Sequence, residues 1–128
     1  MKNSYTLIFF EKGSFMSIMP NEYQYNALFT SPEFSSDKER LTCSALGLSG
    51  EVGEYVDILK KHLYQGHELD RDHMISELGD ILWYVALGCT ALGIRMEDVM
   101  VINNEKLRNR YPNGFTVKNS TDRREGDI

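Results

Sequence analysis

The 128-residue chain is poor in cysteine, proline and tryptophan, and it has no excess of basic residues. Cys43 and Cys89 are the only cysteines, and each stands among apolar neighbours on a predicted helix. A disulfide framework is therefore excluded, and both read as reduced, structural thiols. The three prolines, Pro20, Pro32 and Pro112, fall where predicted helices begin or end. A formal net charge of -5 excludes a chain whose main business is coating nucleic acid or an anionic membrane, although a local basic pocket remains compatible with it. No apolar run is long enough to span a membrane. The longest, "ILWYVALGCTALGI" from Ile81 to Ile94, suits a buried helix instead. The N-terminal "YTLIFF" is cut short by Glu11 and Lys12 and lacks a following small-residue cleavage site, so it fails as a secretory signal. A cytosolic protein is expected.

What is present reads as one helical domain, since 128 residues with a 41% hydrophobic share suffice for one core. Residues 1–18 lack helical periodicity and read as an extension, residues 19–115 as the domain, and residues 116–128 as a polar, disordered tail. Four helices are expected. "PNEYQYNALF" brings Tyr23, Ala27 and Leu28 to one side and is stopped by Pro32. A long second helix starts with Ser36 or Asp37 as N-cap and stops at Gly66. A third, with Asp70 or Asp72 as N-cap, runs to Gly93. A fourth, "MEDVMVINNEKLRNRY", has acids in its first turn and arginines in its last, as the helix dipole favours.

The third helix is apolar nearly all round. Ile75, Leu78, Ile81, Leu82, Val85 and Leu92 form one stripe, assigned to packing within the subunit, while Trp83, Leu87 and Cys89 remain on other sides. A single small domain does not easily bury all of these, so a subunit interface is expected along this helix. Gly47, Gly50 and Gly53 in the second helix each cost about 1 kcal/mol relative to Ala. They mark a kink, or a close approach of another helix or a ligand to the backbone.

Two acidic pairs, Glu51 with Glu54 and Glu77 with Asp80, repeat one spacing on consecutive helices. Residues three apart differ by about 60° around a helix, so each pair shares a face. An antiparallel hairpin brings the two faces together, although the counts on its two arms differ: the connector must climb, or the second helix must end before Gly66. Four carboxylates inside a bundle repel one another by several kcal/mol per close pair at an effective dielectric of about 20. A hard divalent cation such as Mg²⁺ relieves this, because it takes oxygen ligands and is usually held by carboxylates together with substrate phosphates. The competing account is a solvated surface pattern paired with Lys60, Lys61 or Arg71. On the fourth helix Asn103, Lys106 and Arg110 lie along one stripe, reading either as a row for phosphates or as a solvated face.

Three blocks carry a resemblance: "GLSGEVGEYVDILKKH", "ELGDILWYVALGCTALGI" and "NNEKLRNRYPNGF". In this order, over roughly residues 20–115, the chain resembles the MazG-like branch of the all-α nucleoside triphosphate pyrophosphohydrolases, whose ExxE and ExxD signature falls on Glu51, Glu54, Glu77 and Asp80. The resemblance implies hydrolysis of a nucleoside triphosphate between its α and β phosphates, giving monophosphate and pyrophosphate, in nucleotide-pool house-cleaning. It implies Mg²⁺ on the four acids, with Mn²⁺ as a possible substitute, and Glu51 or Glu54 as the base that takes the proton of water. Lys106 and Arg110 would neutralise phosphate charge, and Lys61, close in angle to Glu54, would join them. Tyr84 and Asn103 are placed near the nucleotide, while Trp83 reads as core. A homodimer or dimer of dimers is implied, with sites built from more than one subunit. Two rivals stand: phosphoribosyl-ATP pyrophosphatase, and a non-catalytic helical protein that binds metal or a partner.

Overall fold

The computed structural model describes residues 17–122, and the expected extension lies almost wholly outside them. Among the described residues the fold is all-α, as expected, with five helices: α1 (Pro20–Phe29), α2 (Asp37–Gln65), α3 (Arg71–Ala91), α4 (Met96–Arg110) and α5 (Val117–Thr121).

Local chemistry sets these limits. Ser36 caps α2 by accepting from the Glu39 backbone N–H at 3.2 Å, and Glu39 reaches back to the Ser35 N–H at 2.8 Å. Gly66 ends α2 in the left-handed conformation, φ 73°, which costs glycine little and other residues more. Asp70 is the N-cap of α3, its side chain accepting from the His73 N–H at 3.0 Å. α4 has no side-chain cap of its own at Arg95, and α1 supplies one. Asn21 accepts from the Glu97 N–H at 3.1 Å and Gln24 accepts from the Met96 N–H at 2.6 Å, so two of the orphan donors at this helix start are satisfied from across the fold. Residues 117–121, expected to be disordered, form a short helix instead. Thr116 caps it by accepting from the Asn119 N–H at 3.1 Å, a local signal that the polar composition hides.

α2 and α3 form the expected antiparallel hairpin, and α1 and α4 pack at the C-terminal half of α3. The hairpin partners are Ser44 with Tyr84 and Glu51 with Glu77. α2 therefore runs past the level of its partner helix and residues 66–70 climb back along it, which resolves the mismatch between the arms. The two helices touch through small groups. Ser44 Oγ donates to the Tyr84 carbonyl at 2.8 Å, a Cβ on Gly88 would lie 2.7 Å from that Oγ, and a Cβ on Gly47 would lie 2.0 Å from the Tyr84 ring. Gly47 thus permits a close approach, whereas Gly50 and Gly53 face open space.

Among the described residues the buried hydrophobic set is small: Ala27, Ala86, Leu87, Cys89 and Met96, with Tyr23, Trp83, Val85, Ile94 and Val99 packed against the cluster of Ala27, Ala86, Cys89 and Met96. This reverses much of the expected division of the third helix, although Val85 of the stripe packs against the core. Leu87 is fully buried within the protomer, and Cys89 is nearly so, packed with Ala27 of α1 and Met96 of α4. Ile75, Leu78, Leu82 and Leu92, assigned above to internal packing, are exposed, Leu82 at 47%. Leu28 of α1 is exposed as well. Val52, Val56, Leu59 and Leu63 add an exposed apolar stripe on α2. No helix among the described residues is long and apolar enough to cross a membrane.

Candidate functional site

All four acids of the two pairs meet on the inner side of the hairpin. Ligand-capable atoms of Glu51, Glu77 and Asp80 lie within 4.8 Å of one another, and those of Glu54, His73 and Glu77 form a second such group. Glu77 belongs to both, and it is the most buried of the four, at 5% exposure. It hydrogen-bonds to the Glu51 carboxyl and lies 2.7 Å from His73 Nε2.

The electrostatics follow. Partial burial, the hydrogen bond to Glu77, and the charges of Asp80, Glu54 and Glu77 push the Glu51 carboxyl above the ordinary carboxylate range. Carboxylates placed as close as Glu51 and Glu77 repel one another unless a proton or a cation offsets their charge. The donor set is all oxygen on one side of Glu77, which is what Mg²⁺ takes. The residues fit a hard divalent cation.

An open cavity of about 460 Å³ adjoins the acids, lined in part by Gly50, Gly53, Glu54, Lys61, His67 and His73. Lys61, expected near Glu54, is on this wall, held by Asp57 at 2.6 Å. Lys60 pairs with the same carboxylate. Together the two ammonium groups hold Asp57 down at about 2. Gly50 and Gly53 add no side chains to their part of the cavity wall.

Tyr84 stands beside the acids. Burial first, then the nearby charges of Glu51, Cys43 and Asp80, raises its hydroxyl above the ordinary tyrosine value. Trp83 packs edge-on against the Tyr84 ring, 4.9 Å between centroids, and its Nε1 donates to Thr30 Oγ1 at 2.9 Å. It packs against the core, as expected, while its polar edge finds a partner at the end of α1.

The fourth helix behaves differently. α4 rests on α1 and α3 and makes no substantial packing with α2, and Asn103 and Lys106 are exposed on it while Arg110 is half-buried. The basic stripe thus lies on a helix that does not pack substantially against the arm carrying Glu51 and Glu54. Two residues near the acids lie outside the expected set. His73 sits four positions before Glu77, a helical spacing that signals contact, but its polar surroundings in "HELDRDHM" read as connector. Tyr23 reads as core in the sequence, yet its hydroxyl donates to the Gly79 carbonyl at 3.3 Å, and burial, then the charge of Asp80, raises its pKa.

Residues 41–115 match the MazG nucleotide pyrophosphohydrolase domain. The chain is 34% identical over 90 residues to the "Gene 37 protein" of Mycobacterium phage L5, covering 67% of this chain and 78% of that protein. No solved structure gives a significant match. The matched span takes in the paired acids of α2 and α3, the helix crossing at Gly47 and the whole of α4, and on this match the chain belongs to the family of MazG nucleotide pyrophosphohydrolase domains.

Proposed function

We propose that the protein hydrolyses nucleoside triphosphates between the α and β phosphates in a Mg²⁺-dependent reaction, giving nucleoside monophosphate and pyrophosphate. The observation that carries this is the meeting of Glu51, Glu54, Asp80 and His73 around the buried Glu77. A buried carboxylate surrounded by others is costly unless a cation is its purpose.

Glu51, Glu54, Glu77 and Asp80 would hold the Mg²⁺, with Mn²⁺ an acceptable substitute. When bound, the cation supplies charge neutralisation to phosphate oxygens and acidity to water. Glu51 and Glu54 are the candidate bases. The raised affinity of Glu51 for a proton, set first by burial and then by Glu77 and the charges of Asp80 and Glu54, suits that carboxylate to accepting the proton of an attacking water. Lys61 on the cavity wall meets phosphate charge, and Tyr84 provides an aromatic surface and a hydroxyl beside the same acids. Residues 19–115 form the working domain, and the reaction serves the nucleotide pool of the cytosol.

Asn103, Lys106 and Arg110 act on substrate phosphates and nucleotide from a second copy of the chain. The exposed stripes on α2 and α3 support a homodimer or dimer of dimers, since each large apolar side chain covered is worth about 1.5 to 3 kcal/mol. A panel of ordinary and damaged nucleoside triphosphates and phosphoribosyl-ATP, with Mg²⁺ and pyrophosphate release as readout, tests the proposal. Release from a nucleoside triphosphate supports it. Release from phosphoribosyl-ATP alone, or from nothing, favours one of the two rivals.

A further inference from the structure

Among the described residues, His73 is the one histidine grouped with the acids, and it comes at their second grouping. Its backbone is fixed by the Asp70 cap, which receives the His73 N–H at 3.0 Å. One turn on, Nε2 lies 2.7 Å from Glu77 Oε1. A simple helical His–Glu pair accounts for that contact alone. It does not account for Glu54, which comes from the opposite arm of the hairpin to within 4.8 Å of the same atoms. Nor does it account for the space in front of them: Glu54 and His73 both line the 460 Å³ cavity, which leaves room for the remaining ligands of an ion. Half of the His73 side chain is exposed toward solvent, whereas the Glu77 side chain is only 6% exposed, so the group has an open and a closed side.

We propose that Glu54, His73 and Glu77 hold a divalent cation with His73 Nε2 as nitrogen ligand, and that this ligand makes the position favour Mn²⁺ and similar transition ions over Mg²⁺. The inference rests on the metal reading given above. Its chemistry is that Mg²⁺ takes oxygen ligands and gains little from imidazole, whereas first-row transition ions accept mixed nitrogen and oxygen sets. The other grouping, Glu51, Glu77 and Asp80, offers oxygen alone. The two positions share Glu77, so that carboxylate would bridge two cations of different preference.

The test uses the full chain with Mn²⁺ alone and Mg²⁺ alone, without nucleotide. Electron spin-echo modulation of bound Mn²⁺ should show a nitrogen coupling that is absent in His73→Ala and retained in His67→Ala, the other histidine of the cavity wall. Calorimetry should show Mn²⁺ affinity falling by about tenfold or more in His73→Ala while Mg²⁺ affinity changes by less than about twofold. Mn²⁺ that binds without nitrogen coupling, or whose coupling survives in His73→Ala, overturns the inference and leaves the metal reading standing. Failure of both ions to bind the wild-type chain overturns the two together. Should His73→Ala not fold by circular dichroism, the wild-type spectrum and His67→Ala decide: coupling absent from the first, or lost in the second, overturns the assignment to His73.

Discussion

The Tyr84 ring lies across Gly47 so closely that a Cβ there would sit 2.0 Å from Cε1. This contact sets the distance between the two helices that carry the acids. Gly47→Ala should therefore lose about 1 to 3 kcal/mol of stability through overpacking, despite the better helix propensity of alanine. Gly50→Ala, with nothing within 4 Å, should gain about 0.5 to 1 kcal/mol in the absence of ligand. Denaturant melts of the two variants should move in opposite directions, and Tyr84→Ala should recover part of the Gly47→Ala loss.

The raised Glu51 carboxyl links metal-free stability to pH. A carboxyl with a folded pKa above its unfolded value of 4.5 binds its proton more tightly when folded. Stability is then highest below that value and falls as pH rises through the folded pKa. In the presence of a chelator the wild-type Tm should decline relative to Glu51→Gln as pH rises above about 4.5. Saturating Mg²⁺ should reverse the order, because the ionised form is the one that holds the cation. A chelated wild type that gains on the variant across this range contradicts the assignment.

Association should depend on the stripe that the protomer leaves exposed. Leu82→Glu is expected to weaken self-association while each protomer stays folded, and activity should fall with it as protein is diluted. Leu87 answers differently: it is fully buried, so Leu87→Asp should unfold the chain. Sedimentation and circular dichroism, run on both variants, distinguish the two. A wild type that is monomeric and fully active at all concentrations would refute the oligomer.

Lys106→Ala and Arg110→Ala should impair triphosphate use far more than Mg²⁺ affinity. If the basic stripe serves the acids of a second copy, mixing Lys106→Ala chains with Glu54→Gln chains should restore part of the activity that each has lost alone. Failure to restore any activity in a verified mixed dimer would place the stripe and the acids in the same subunit.

The acids were legible because spacing alone puts Glu51 with Glu54 and Glu77 with Asp80 on single faces, and a hairpin has few ways to join them. Helix limits were legible where side chains announce them, at Ser36, Gly66 and Asp70. The faces of the third helix were not. Periodicity counts Leu82 and Leu87 alike as apolar, and only the way the neighbouring helices pack around this one decides that Leu87 is inside and Leu82 outside. His73 was missed for a similar reason: its role depends on Glu54 from the other arm, and that meeting is set by how far the connector climbs. Thr116 capped a helix that the polar tail gave no periodicity to reveal.

The most direct measurement is product-resolved hydrolysis of a nucleoside triphosphate with Mg²⁺ by the wild type, Glu54→Gln and Asp80→Asn side by side. The wild type should yield monophosphate and pyrophosphate in equal amounts. Both variants should lose about two orders of magnitude or more in turnover while keeping their helical content. Diphosphate and inorganic phosphate as the products, or near wild-type turnover in both variants, would contradict the account.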